Sequence, residues 1–277
     1  MQTGSNAYQK YTGPHPDAIV HGAMKGRPEG GTMKALAWFG SQDVRLIEAL
    51  IPDIIDEEDV VLKVTGTTIC GSDLHLCVHI YFSHYTPEMF LIYIFADHGE
   101  IMAMQKGDIL GHEFMGAVDR IGKNVTKLSV GDRVVTSFQV ACGKCVYCKK
   151  KLSSFCEKTN DSTLQEKMYG KRDAGFFGYS HFTGGYAGGQ AEYVRVPFGN
   201  VNCLKIPAEI PDEAALYLSD ILPTSYHCVV DTGVEKGNVG GIWGLGPIGM
   251  SAARWCQLKG AKRIIGIDSV PRWPKSD

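Results

Sequence analysis

Short apolar runs, each bounded by turn residues, follow one another between residues 33 and 210. Runs of this length that are rich in β-branched and aromatic side chains predict strands, and turns such as Gly131-Asp132 predict that neighbouring strands pair. The pattern indicates a partly open β-barrel. The predicted strands are Met33–Gly40, Val44–Ile47, Asp59–Thr65, Phe114–Ile121, Arg133–Thr136 and Ala191–Val196.

The hydrophobic pattern changes after Pro211. A helical stretch is followed by two strand-like runs, and a helix between those runs has a proline in its first turn and Gly260 just past its end. This order predicts one β-α-β unit. The predicted elements are a helix from Asp212 towards Pro223, strands Val239–Trp243 and Arg263–Ile267, and a helix Pro247–Lys259.

The chain divides into three segments by composition. Residues 1–32 are rich in glycine, proline and small polar residues and follow neither the helical nor the strand period, so we expect a disordered extension. Residues 33–210 are expected to form the β-rich domain. Residues 211–277 are expected to form a partial α/β domain.

Composition and charge exclude several classes of protein. The 277 residues are 44% hydrophobic and carry a formal net charge of −2, which is typical of a globular protein and argues against nucleic acid or an anionic membrane as the main partner. The N-terminus lacks a charged region followed by an apolar run, so no signal peptide is expected and the cytoplasm is the predicted location.

Four of the nine cysteines lie close together in the sequence, at Cys142, Cys145, Cys148 and Cys156. Two residues between thiolates allow a tight turn to direct both sulfurs at one ion, and four thiolates form the closed tetrahedral site that structural zinc prefers. A disulfide or chance clustering is the alternative, but the odd number of cysteines fits reduced thiols. The sequence therefore predicts a structural zinc site, which stabilises a lobe and performs no chemistry.

A glycine-rich loop joins the first apolar strand of the β-α-β unit to its helix. Gly244 allows the tight turn, Gly246 allows a pyrophosphate to approach the backbone, and Gly249 allows the helix to pack on the strand. Asp268, at the end of the next strand, is expected to accept hydrogen bonds from the ribose hydroxyls and to repel a 2′-phosphate. NAD is therefore the predicted cofactor, although Arg272 leaves NADP open, and a glycine-rich turn without a ligand is the alternative.

Two further motifs, Cys70-Gly-Ser-Asp-Leu-His75 and Gly111-His-Glu-Phe-Met-Gly116, lie upstream. Together with the four cysteines and the glycine loop, they resemble the zinc-dependent medium-chain alcohol dehydrogenase family over residues 33–268. Residues 183–193 and 218–224 resemble the branch that contains glutathione-independent formaldehyde dehydrogenase. The resemblance implies a GroES-like catalytic domain followed by a Rossmann dinucleotide-binding domain, and a homo-oligomer for a full-length chain.

The resemblance also implies a catalytic zinc. Cys70, His112 and Asp220 would be its ligands, which leaves one position open for an alcohol or a hydrated aldehyde. Asp73 would hold the other ring nitrogen of His112, and Glu113 would lie beside the metal or replace a departing water as a ligand. The residues that compete with Asp220 for the third ligand position are Cys203, His227 and Cys228.

In this family the metal lowers the pKa of the substrate hydroxyl. Ser72 would then accept its proton and pass it through the nicotinamide ribose to His75, while a hydride moves to NAD. The resemblance therefore implies an NAD-dependent oxidoreductase whose favoured substrate is formaldehyde. The second choice of enzyme is a polyol or threonine dehydrogenase. A non-catalytic zinc-binding remnant is the alternative from another class.

Two features depart from the family pattern. Residues 77–97 interrupt the family-like sequence between the two upstream motifs. The codons possible for Cys77 and for Ala96-Asp97 are compatible with the two ends of a retained intron that splits a single tyrosine codon. Removal of that insert shortens the separation of Cys70 from His112 from 42 positions to 22. The sequence also continues through one β-α-β unit only, from which we expect a truncated dinucleotide domain and a loss of stability.

Overall fold

The computed structural model describes residues 22, 24–77 and 103–269. The chain forms two compact units, Met1–Leu216 and Tyr217–Asp277, so the division lies six residues beyond the predicted boundary at residue 210. The elements of the first unit are β1 (Thr32–Gly40), β2 (Asp43–Leu50), β3 (Val60–Thr67), α1 (Gly71–Cys77), β4 (Asp108–Ile109), β5 (Phe114–Ile121), β6 (Arg133–Thr136), β7 (Gln139–Val140), α2 (Val146–Lys149), α3 (Thr163–Tyr169), β8 (Gly175–Phe176), β9 (Tyr193–Val196), α4 (Gly199–Asn202), β10 (Cys203–Lys205) and α5 (Asp212–Ala215). Those of the second are α6 (Ile221–Asp231), β11 (Val239–Trp243), α7 (Pro247–Leu258) and β12 (Arg263–Ile267).

The first unit is built on open antiparallel sheets. A five-stranded sheet has the order β10-β6-β5-β3-β9, and a three-stranded sheet has the order β2-β1-β4. Within the described residues no sheet closes on itself, which fits the predicted partly open arrangement. The sequence pattern did not indicate β4, β7, β8 or β10, because each has only two or three residues and shows no alternation.

The core of the first unit lies beneath the five-stranded sheet. Phe114 on β5 and Phe177 are both 0% exposed, and their rings meet edge to face at 5.2 Å. Val60 and Leu62 on β3 belong to the same cluster, which also contains Cys142 and Cys156. The cysteine-rich lobe is therefore continuous with the main core.

Part of the predicted disordered extension is held against the sheet. Residues 1–21 and 23 lie outside the described residues, but the Arg27 guanidinium forms an ion pair with Asp119 at 2.5 Å and lies over the ring of Tyr193. The Arg27 N–H also donates to the carbonyl of Ile51 at 3.1 Å. The described residues before β1 are therefore anchored.

The predicted insert 77–97 lies outside the described part except for Cys77, at the end of α1.

A glycine- and aromatic-rich segment, residues 169–190, connects α3 to β9. It is fixed by the Tyr186 hydroxyl, which donates to the Thr159 carbonyl at 2.6 Å, and by the His181 Nε2 atom, 3.1 Å from Asp108 on β4. The hydrogen bond to Asp108 raises the pKa of His181. This segment ends at Gln190, whose side-chain amide donates to the Asp73 carboxylate at 3.2 Å.

The second unit contains the predicted β-α-β. Strands β11 and β12 pair in parallel, with Val239 opposite Arg263 and Trp243 opposite Ile267, and α7 connects them. The helix predicted from Asp212 towards Pro223 is instead broken: α5 ends at Ala215, and α6 begins at Ile221. Pro223 lies inside the first turn of α6, where a helix needs no N–H from it, so the proline is near the start of a helix rather than at its end.

No helix in the described part of the chain combines the length and the apolar character that a membrane span requires.

We expect Phe177→Ala to lower the free energy of unfolding by about 3–5 kcal/mol, because it removes a fully buried ring that contacts two other rings. Urea unfolding followed by circular dichroism measures the change. The control is Leu46→Ala on β2, where the side chain is 65% exposed and the expected change is below about 0.5 kcal/mol. Equal effects from the two variants would contradict the assignment of the core.

Candidate metal centres and dinucleotide loop

Cys142, Cys145, Cys148 and Cys156 form one compact cluster. Their sulfur atoms all lie within 4.8 Å of one another, and two of the pairs, 142–148 and 145–156, are 4.0 Å apart. A tetrahedral zinc with bonds of about 2.3 Å places its sulfurs roughly 3.8 Å apart, so the donor set fits zinc closely. The cluster agrees with the predicted structural zinc site.

The local backbone directs these sulfurs inward. Gly143 adopts φ +70°, in the left-handed region that favours glycine, and a Cβ there would lie 2.8 Å from Val201. The resulting turn lets the N–H groups of Lys144 and Cys145 donate to the Cys142 sulfur at 3.4 and 3.3 Å. Hydrogen bonding to Cys156 and burial raise the pKa of the Cys142 thiol to about 12, so four thiolates here need a cation to compensate their charge.

A second cluster contains Cys70, His112 and Glu113. One ligand atom from each residue lies within 4.8 Å of those of the others. The antiparallel pairing of β3 with β5 produces this approach, because Thr67 pairs with Phe114 and the two chains leave the sheet at the same edge. His112 and Glu113 are each 1% exposed, and Cys70 is half-buried.

Two carboxylates, one from Asp73 and one from the cluster residue Glu113, lie against the Cys70 and His112 side of this cluster. Asp73 accepts the N–H of Cys70 at 2.8 Å, and its other oxygen lies 3.6 Å from the Nδ1 atom of His112. The Glu113 Oε2 atom accepts the Thr68 hydroxyl at 2.7 Å, and Oε1 lies 3.7 Å from the His112 Nε2 atom.

The Oδ1 atom of Asp73 and the Oε1 atom of Glu113 are buried and have no hydrogen-bond partner among the described residues. Two buried acids beside a thiol and an imidazole are costly without a compensating cation. A thiolate, an imidazole and a carboxylate are zinc ligands, so this donor set fits a divalent metal.

Ser72 and His75, the two residues predicted to relay the proton, lie on α1. The Ser72 hydroxyl oxygen is 3.5 Å from the Nε2 atom of His112. His75 also lies on α1, but its side chain is outside the described part of the chain. The relay role of both residues stays a prediction.

Asp220 lies in the second unit, at the N-cap position of α6, where its carboxylate accepts the hydroxyl of Thr224. Its role as a metal ligand stays a prediction. The competing residues His227 and Cys228 lie on α6, and His227 pairs with Asp231 at 2.6 Å. Cys203 lies on β10 beside Thr136, and burial raises the pKa of its thiol to about 12.

The glycine loop of the second unit has the predicted geometry for a tight turn. Gly244 adopts φ +85°, Gly246 is the N-cap of α7, and a Cβ on Gly249 would lie 1.9 Å from the Gly244 carbonyl oxygen. Asp268 follows β12, and its carboxylate accepts the N–H of Leu245 at 2.6 Å. The Asp268 carboxylate and the N-terminus of α7 therefore lie close together at one end of the β11–β12 pair.

Sequence reasoning missed several residues around the Cys70 cluster. Thr68 and Gln190 hydrogen-bond to its carboxylates, and the ring of Tyr179 meets that of His112 edge to face at 5.0 Å. These residues carry no spacing signal, because they reach the cluster only through strand pairing and a long connecting segment.

We expect Cys145→Ser to release one zinc per chain and to expose the lobe of residues 142–156 to proteolysis, because a four-ligand site loses its closure. Zinc content by atomic emission and limited digestion by trypsin measure the two effects. The matched control is Cys228→Ser, an exposed thiol in the second unit, which should change neither. Undiminished zinc with an intact lobe in the Cys145 variant would contradict the site.

Comparisons with known proteins identify the family that the chain resembles. Residues 56–208 match the model of the alcohol dehydrogenase GroES-like domain. A zinc-type alcohol dehydrogenase-like protein of Schizosaccharomyces pombe is 44% identical over 88% of this chain and 53% of its own length. The glutathione-independent formaldehyde dehydrogenase of Pseudomonas aeruginosa is 37% identical over 78% of this chain and 47% of its own length.

A solved structure has the same fold. An alcohol dehydrogenase from a Thermus species superimposes with a TM-score of 0.71 at 33% identity, over 86% of this chain and 59% of that one. The chain spans about half the length of the curated relatives it matches. The zinc-type alcohol dehydrogenase family uses zinc and NAD(P), and the GroES-like fold predicted from the sequence is confirmed. The chain belongs to the zinc-type alcohol dehydrogenase family, with a GroES-like domain.

Proposed function

We propose that this chain carries the zinc site and the first part of the NAD site of a dehydrogenase that oxidises small alcohols or hydrated aldehydes, with formaldehyde as the favoured substrate. The observation that carries the proposal is the convergence of Cys70, His112 and Glu113 at one point. A structural role alone gives no reason to bury a carboxylate oxygen beside a thiol and an imidazole without a hydrogen-bond partner in the described part of the chain.

In this proposal Cys70 and His112 hold the catalytic zinc. Glu113 lies beside them, and Asp220 is the third ligand that the family resemblance implies. The metal, when bound, lowers the pKa of a neighbouring substrate hydroxyl towards neutrality. Three protein ligands leave one coordination position for substrate, unlike the closed cysteine site.

The chain's own residues orient the ligands and move the proton. Asp73, 3.6 Å from the Nδ1 atom of His112, favours the tautomer that carries its proton on that nitrogen and leaves Nε2 as a metal ligand. Ser72, 3.5 Å from Nε2, accepts the substrate proton in this proposal, and His75 on the same helix passes it to solvent.

The preference for formaldehyde is supported by the similarity to the formaldehyde dehydrogenase of P. aeruginosa and by the sequence of residues 183–193 and 218–224. The preference for NAD is supported by the placement of Asp268 beside the glycine loop. The cytoplasmic location and a homo-oligomer stay predictions from the sequence.

We expect the form without the insert to bind two zinc ions and to reduce NAD with formaldehyde in preference to sorbitol or threonine, and the form with residues 77–97 to be insoluble or inactive. The assay is run on the chain as it stands and on a variant in which residues 77–97 are replaced by one tyrosine. Cys70→Ser should leave one zinc and lower kcat/KM at least about 100-fold. The control, Cys203→Ser, removes a thiol outside the cluster and should change neither.

One zinc in both forms would contradict the catalytic site. Two zinc ions without turnover in either form would favour a zinc-binding module. A preference for sorbitol or threonine would favour the polyol or threonine dehydrogenases.

We expect Asp268→Ser to narrow the preference for NAD over NADP roughly 10-fold, which corresponds to about 1.4 kcal/mol, because it removes a carboxylate that repels the 2′-phosphate. The ratio of kcat/KM for the two cofactors measures the effect, and dissociation constants from fluorescence titration supply a readout that does not depend on turnover. Asp231→Ser on α6 is the matched control. An unchanged ratio in the Asp268 variant would show that this residue does not recognise the ribose.

A further inference from the structure

Gln190 is held tightly beside the Cys70 cluster, although the family resemblance assigns it no function. Its backbone N–H donates to the Leu110 carbonyl at 2.9 Å, and its carbonyl accepts the N–H of Leu36 at 2.8 Å. The residue is 8% exposed. Its side chain lies against Gly111, where an added Cβ would be 2.5 Å from the Gln190 Cγ atom.

The side-chain amide of Gln190 donates two hydrogen bonds in different directions. Its Nε2 atom lies 3.2 Å from the Oδ2 atom of Asp73 and 3.3 Å from the carbonyl oxygen of Thr68. An amide nitrogen carries two protons, and both acceptors lack a proton of their own, so both donors are used.

The two acceptors, Asp73 and Thr68, contact different residues of the cluster. Asp73 accepts the N–H of Cys70 at 2.8 Å and faces His112 at 3.6 Å. Thr68 donates its backbone N–H to the Glu113 carbonyl at 3.1 Å and its hydroxyl to the Glu113 carboxylate at 2.7 Å. The Gln190 amide therefore joins the group that orients Cys70 and His112 to the group that orients Glu113.

We propose that Gln190 is a positioning residue of the metal centre, which fixes the distance between Glu113 and the Cys70–His112 pair and so determines how firmly that site holds its metal. The inference rests on the proposed function, because it requires a metal at these residues. Residues that hydrogen-bond to the partners of metal ligands change metal affinity by about 10- to 100-fold, which sets the expected effect.

A packing role is the competing explanation, and an isosteric variant separates the two. Gln190→Met keeps the length and volume of the side chain but removes both donors. A packing role therefore predicts that Gln190→Met behaves as wild type, whereas the positioning role predicts a loss of metal. Thr68→Val is the second variant: it keeps the backbone bonds of Thr68 and removes only its hydroxyl bond to Glu113.

The experiment uses the full chain loaded with zinc and measures zinc release to a chromogenic chelator. Two phases are expected in wild type, one for each site. We expect Gln190→Met to release the metal of the Cys70 site about 10- to 100-fold faster, with the phase of the Cys142 site unchanged. Thr68→Val should accelerate the same phase.

Cobalt substitution gives a readout that does not depend on turnover. We expect the visible bands of cobalt at the Cys70 site to shift in both variants, because the ligand geometry changes. The matched control is Gln139→Met, in which a half-buried amide that donates to Ser153 at 3.1 Å is replaced in the same way. It should leave the release rate and the spectrum of the Cys70 site unchanged.

The outcomes separate the two proposals. One metal per chain in wild type would overturn the proposed function and this inference together. Two metals, with both phases and the cobalt spectrum of Gln190→Met equal to wild type, would overturn the inference alone. If Gln190→Met does not fold, Gln190→Leu decides, because it also removes both donors: a wild-type release rate and spectrum in that variant would overturn the inference.

Discussion

The antiparallel pairing of β3 with β5 is the constraint on which the metal centre depends. Its register places Thr67 opposite Phe114, and the residues that follow β3 and precede β5 therefore leave the sheet side by side. Cys70 and His112 are 42 positions apart in the chain, yet their separation in space is set by this ladder. The segment between them does not determine where the ligands lie. Its length can therefore change, and each doubling of that length costs only about 0.6 kcal/mol in loop-closure free energy.

The first unit also places a buried ion pair beside this ladder. Asp59 is 0% exposed and accepts the N–H groups of Ile55 and Asp56, while Arg195 pairs with it at 3.0 Å across the β3–β9 pair. Buried ion pairs of this kind contribute little net stability, but they disfavour alternative registers of the strands. The Asp59–Arg195 pair therefore disfavours other registers of β9 against β3, the strand that also forms the ladder with β5.

Much of this architecture is visible in the sequence. Short strand-like runs, together with Gly244, Pro247 and Gly260, predicted the correct bounds of β11 and β12 and, to one residue, of α7, because these elements have strong local signals. The cysteine cluster was also predictable, since its ligands are close in the chain. The break between α5 and α6 was not, because a proline near a helix start and one beyond a helix end look alike in sequence.

The groups around the ligands were not predictable for a different reason. Thr68 and Gln190 reach Glu113 and Asp73 through pairing between distant strands, and neither residue type is a metal ligand. Local patterns therefore identify candidate ligands, but the hydrogen bonds that orient those ligands depend on tertiary contacts.

The cysteine lobe shares its interior with the main core, and this has a consequence for oxidative damage. Cys142 and Cys156 are 0% exposed and pack in the same cluster as Phe177, whereas Cys145 and Cys148 are half-buried. An oxidant in solution therefore meets the two outer sulfurs first, and their conversion to sulfenic acid removes two of the four thiolates of the cluster. The inner pair, Cys142 and Cys156, is then left as buried thiols in the hydrophobic core. Oxidation at the surface of the lobe therefore weakens the packing beneath the five-stranded sheet.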